Sequence, residues 1–139
     1  MEVRSSEFDN YWLSSGALEW NYEKKIFDND QILQIKHHGN WLDTLDFWGD
    51  ELFKDKMRRE TWLAQYMLGK GTTPAPILAF QNGGDIDNPR GLPKEKFCLP
   101  YQLIEGHMRT AYLRGMINNN YEKLQSQSEV WVASIAERF

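Results

Sequence analysis

Glu105-Gly106-His107-Met108-Arg109-Thr110 gathers the residue types in this chain best suited to chemistry on an anion. The apolar run Tyr101-Gln102-Leu103-Ile104 precedes it, and Met108, Ala111, Tyr112 and Met116 follow on one helical face. That order predicts a buried strand turning through glycine straight into an amphipathic helix. A helix starting in this way presents backbone N–H groups with no intrahelical partner, and its dipole favours negative charge there. Gly106 lets an anion approach the backbone closely, and Arg109 offers a fork of donors that matches phosphate oxygens. The expected phosphate- or nucleotide-binding residues are therefore Gly106, His107, Arg109 and Thr110. Glu105 and His107 are the candidates for catalysis, since each can carry a proton beside a bound phosphate. Plainer roles stand next to these: His107 bonding a neighbouring carbonyl or carboxylate, and Glu105 pairing with Arg109 in a surface ion pair of little worth.

Two further groups offer less. His37 and His38 are adjacent, so their side chains point apart in either regular structure, and no Cys or His cluster accompanies them. They read as surface or turn histidines, and no metal site is expected. Cys98, the single cysteine, lies between Phe97 and Leu99 in an apolar run of strand type. It reads as a buried small hydrophobe, it excludes an intrachain disulfide, and it suits a reducing compartment.

The elements that must position these residues follow from periodicity and breakers. Phe8, Tyr11, Trp12 and Leu13 before Ser14-Ser15-Gly16 suggest a short helix, and Glu23 to Lys36 suits a strand pair or a strand leading into a short helix. His37 to Gly49 is an insert bounded by glycines and rich in aromatic and acidic residues. From Asp50, a plausible N-cap, Leu52, Phe53, Met57, Trp62, Leu63, Tyr66 and Met67 recur at helical spacing until Gly69 or Gly71. Pro74 and Pro76 forbid more helix, and Ile77-Leu78-Ala79-Phe80 then reads as a buried strand. Asp85 to Lys96 is an exposed excursion, Phe97 to Ile104 a strand, and Val130 to Ile135 a terminal strand or a last helical turn.

A chain of 139 residues with 41% hydrophobic and 26% charged residues is expected to fold as one domain around one core. A net charge of −4 supplies no excess of cations to displace counterions from DNA, so direct DNA binding is disfavoured. Nowhere do eighteen apolar residues run together, and the first ten residues lack a signal-peptide core. The expectation is a cytoplasmic protein without a membrane anchor.

Leu103-Ile104-Glu105-Gly106-His107-Met108-Arg109 resembles the strand, turn and helix of ParB/sulfiredoxin-like domains, whose turn carries Gly, two variable residues and Arg. Leu63 to Gly69 and Pro76 to Phe80 resemble the helix and strand that precede it, so the resemblance spans about Ala64 to Met116. It implies an α+β fold, a small mixed sheet with packed helices, with residues 50–118 as the ParB/sulfiredoxin-like core and residues 1–49 as an N-terminal elaboration. Sulfiredoxins carry a reactive cysteine directly after that glycine, where this chain has His107, so sulfinic-acid reduction is not expected. Partition-type ParB proteins add a DNA-reading domain that Asn120 to Phe139 is too short to supply. The turn is also similar to that of nucleotide-using relatives, including free-serine kinases. That resemblance implies a nucleotide or phosphorylated small molecule at the turn, a nucleotide with Mg as the cofactor, and phosphoryl transfer or hydrolysis as the reaction.

A second expectation comes from a different class: a non-catalytic bacterial immunity or antitoxin-type protein that neutralises a cognate toxin. Asp43 and Asp46, interleaved with Trp41 and Trp48, would then meet a basic partner, the aromatics as anchors and the carboxylates for steering.

Overall fold

The computed structural model describes residues 18–81 and 98–137, and the expected helix before Gly16 and the excursion from Asp85 lie outside the described residues. The fold is α+β. Strand β1 runs Leu18–Asp28, helix α1 Asn29–Leu33, β2 Ile35–Lys36, α2 Trp41–Lys54, α3 Lys56–Arg59, α4 Trp62–Lys70, β3 Ile77–Gln81, β4 Tyr101–Glu105, α5 His107–Asn118 and β5 Gln127–Glu137. The five strands form one mixed sheet in the order β1-β5-β3-β4-β2. The β1/β5 and β3/β4 pairs are antiparallel, and the β5/β3 and β4/β2 pairs are parallel.

Short polar signals break the chain where the sheet and helices require it. Asp28 ends β1 and caps α1: its carboxylate accepts from Gln31 N at 2.8 Å while its own N–H donates to the Gln31 side chain at 2.9 Å. Asp55 stops α2 and accepts from Met57 N at the start of α3. Thr61 caps α4, and Gly71 closes it in the left-handed conformation at φ +72°. No side chain but glycine fits there, because a Cβ would overlap the Lys123 carbonyl.

The strand period of two sorts β3 between two layers. Ile77 and Ala79 join the main core with Leu45, Leu52, Met67, Leu113, Met116 and Val130. Leu78 and Phe80 point to the opposite face and pack with Ala133, Tyr22, Ile104 and Trp131. Helix α2 buries Leu45, Gly49 and Leu52 along one stripe against α5.

Several boundaries differ from the sequence expectation. The helix expected from Asp50 starts instead at Trp41, so the first turns of α2 are the stretch read as an insert, and Asp50 is mid-helix and caps nothing. Gly49, read as a boundary, is a buried contact point: a Cβ there would overlap the Ala111 carbonyl and lie 2.9 Å from Gly115 Cα. Glycine at this position serves the close approach of α2 and α5. Helix is also interrupted after Lys54 and after Arg59, where Asp55 and Thr61 cap new segments. Cys98, expected within a strand, precedes β4 and is half-buried. Its N–H donates to Gln102 Oε1 at 3.1 Å. Burial pushes its thiol pKa up, and Lys36 opposes this only in part.

Candidate functional site

Strand β4 delivers Glu105 and Gly106 to the start of α5. Gly106 sits at φ +93°, and no side chain caps the helix, so the first amides of a twelve-residue helix keep their free donors. A Cβ on Gly106 would lie 2.9 Å from Ile77 Cγ2 and 3.1 Å from Arg109 Nη2. Gly106→Ala is therefore expected to cost roughly 1–3 kcal/mol, from left-handed backbone plus crowding, and to push the Arg109 guanidinium away. Urea denaturation measures the first effect.

Arg109 folds back over this glycine. Its Nη1 donates to the carbonyls of Ala75 and Pro76 at 3.1 and 2.9 Å, tying the approach to β3 onto the helix start. Burial pushes its pKa below the usual guanidinium value, and the Glu105 carboxylate pulls partly the other way. The group stays cationic at neutral pH. The expected Glu105–Arg109 ion pair does not form: among the described residues no carboxylate lies within ion-pair distance of Arg109. Beside it a groove of about 510 Å³ is lined by Trp62, Leu63, Pro74, Ala75, Gly106, Met108 and Arg109. Its walls are apolar, and Trp62 is 70% exposed with its ring 5.6 Å from that of Tyr66.

The four residues of the expected anion site are thus divided. Gly106 and Arg109 line the groove. Thr110 is fully buried in α5, and its Oγ1 has no hydrogen-bond partner among the described residues. His107 turns the other way, and its Nε2 lies 2.9 Å from Nε2 of His37. Trp41 stacks on His37 with centroids 5.2 Å apart and lies 5.2 Å from the His107 ring. His38 N donates to His37 Nδ1 at 2.7 Å, and His38 Nδ1 is 3.9 Å from Cys98 Sγ. All three histidines of the chain therefore meet at one place.

Burial, then His107, then His38 lower the His37 pKa from the usual 6.5 to about 4. Burial lowers that of His107 as well, against the pull of Glu105. Both rings are neutral at pH 7. His37 does lie in the turn after β2, as expected, but it is half-buried and engaged with α5. Sequence spacing carried no sign of this, because the contact joins residues seventy positions apart. Among the described residues no group of three His, Cys, Asp or Glu side chains is arranged to hold a metal ion.

On α2, Trp41 is 41% exposed and Asp43 is exposed, while Trp48 packs against the core. Asp46 is already engaged: its two oxygens accept from Arg114 Nε and Nη2 at 2.8 and 3.1 Å. No helix among the described residues is long and apolar enough to cross a membrane. Compared with known proteins, the chain matches no family model, no curated protein and no solved structure.

Proposed function

We propose that the groove at the start of α5 binds a phosphorylated small molecule, in particular a nucleotide, in the manner of ParB/sulfiredoxin-like domains. The observation that carries this reading is a half-buried Arg109, without a carboxylate partner among the described residues, beside the uncapped, glycine-led N-terminus of a twelve-residue helix. A buried cation is costly unless something compensates it, and two carbonyl contacts leave room for an anion. Phosphate would sit on the first amides of α5 next to Arg109. The exposed Trp62 at the same groove gives a base or other flat ring a face to stack on. Phosphoryl transfer or hydrolysis with Mg is the reaction class that goes with this ligand, and Glu105 is the carboxylate nearest in sequence to the turn.

Isothermal calorimetry with purine and pyrimidine nucleotides and inorganic phosphate, with and without Mg, tests the reading. Binding is expected, and Trp62→Ala should weaken the nucleotide by roughly 5- to 150-fold, the range of one base stacked on an aromatic ring, while sparing inorganic phosphate. Absence of binding by every nucleotide and by phosphate at millimolar concentration overturns it.

The acidic binder reading keeps Trp41 and Asp43 as its exposed residues. Asp46 is committed to Arg114 within the fold, which leaves that reading the weaker of the two.

A further inference from the structure

The histidine pair has a property that follows from its hydrogen bonds alone. His37 Nδ1 accepts the His38 backbone N–H, so it carries no proton. The neutral ring must then be protonated at Nε2, and it donates across the 2.9 Å contact to Nε2 of His107. His107 accepts there, so its own proton sits on Nδ1. The lone pairs of both rings are thereby committed. A further proton on His107 Nε2 would meet the proton of His37, and one on His37 Nδ1 would meet the His38 N–H.

We propose that the His37–His107 contact is an acid-released latch, in which uptake of a proton at His107 Nε2 sets it against the His37 Nε2 proton, breaks the contact and frees the 37–40 turn from the first turn of α5. This goes beyond the ligand reading and needs no ligand.

The surroundings favour the closed, neutral form. Trp41 from α2 covers both rings, and His38 opposes charge on His37. The positive end of the α5 dipole disfavours an imidazolium at its first residue. Among the described residues, Glu105 at the end of β4 is the one facing group that favours charge on His107. Cys98 contacts His38, and Lys36 acts on Cys98, one step removed from the pair. Because both folded-state values are lowered, the unfolded chain binds protons first. The stability the pair contributes is therefore complete above the ordinary value of 6.5 and is lost as pH falls toward about 4.

The test is a histidine side-chain ¹⁵N NMR titration of the full chain. At about pH 7.5 the proton is expected on Nε2 of His37 and Nδ1 of His107. Below the ordinary histidine value both rings should change in one shared step, and the backbone amides of residues 38–40 and 107–109 and the Trp41 indole N–H should move in that same step. His107→Gln should raise the midpoint of His37 by about one pH unit or more, toward the value of a free histidine. His38→Gln should leave the shared step in place. If His107→Gln does not fold, His37→Gln is read at His107, whose midpoint should move up toward the value of a free histidine. The opposite tautomers, titration of either ring near the free value in the unmodified chain, or ring titration that leaves those amides unmoved would each overturn the latch.

Discussion

Replacing Gly115 by valine is expected to lower stability by at least about 3 kcal/mol. A Cβ at Gly115 would overlap the Gly49 carbonyl and lie 2.7 Å from Gly49 Cα, both atoms of the facing helix backbone. Backbone cannot swing aside as a side chain can, so α2 and α5 would have to separate. That separation would open the core around Leu45, Leu52 and Met116. Alanine in the same place gains about 1 kcal/mol of helix propensity and loses more to the collision, a net cost of roughly 1–2 kcal/mol. Gly69 in α4 is the internal control: a Cβ there meets nothing within 4 Å, so Gly69→Ala should leave stability unchanged or raise it by up to about 1 kcal/mol. Urea denaturation of the three variants gives the order, and equal losses at positions 69 and 115 would contradict the helix contact.

The second large effect separates two aspartates that look alike in the sequence. Arg114 is 8% exposed, and Asp46 neutralises it through two parallel hydrogen bonds. Removing one partner of a buried pair costs about 3–5 kcal/mol. The Asp46 side chain is 39% exposed, so water can partly replace it, and Asp46→Ala is expected to cost about 2 kcal/mol. Asp46→Lys sets two cations together and should cost more than that. Asp43 is exposed, and Asp43→Lys should change stability by no more than about 0.5 kcal/mol. Thermal and chemical denaturation read both variants. Equal, small effects at positions 43 and 46 would remove the internal role of Asp46 and return it to the surface.

The strand and helix around the glycine turn were legible because each signal there is local: an apolar run, a glycine and a helical face follow one another within sixteen residues. Strand β3 was legible for the same reason, with Pro74 and Pro76 before it and four consecutive apolar residues within it. The start of α2 was not, because Gly39 and Gly49 carry the same symbol for different causes. Gly39 has φ +55° in a turn, whereas Gly49 is a helical residue kept small for a neighbour that sequence does not reveal. The commitments of the charged residues were likewise hidden. Asp46 with Arg114, Arg58 with Glu51 and Tyr112, and Arg109 with the carbonyls of Ala75 and Pro76 are choices of tertiary packing. The histidine pair belongs in that class: it depends on β2 lying parallel to β4, which brings residues 36 and 102 into register and so sets His37 beside the start of α5.

The proposed anion site is tested most directly by a ¹H–¹⁵N NMR titration with a nucleotide and, separately, with inorganic phosphate. Free backbone donors at a helix start respond first when an anion docks on them. The largest shifts are expected at the amides of His107, Met108 and Arg109 with either ligand, joined by the Trp62 indole N–H with the nucleotide alone. Shifts confined to α2, or none at the α5 amides at saturating ligand, would contradict the assignment of this groove as the binding site.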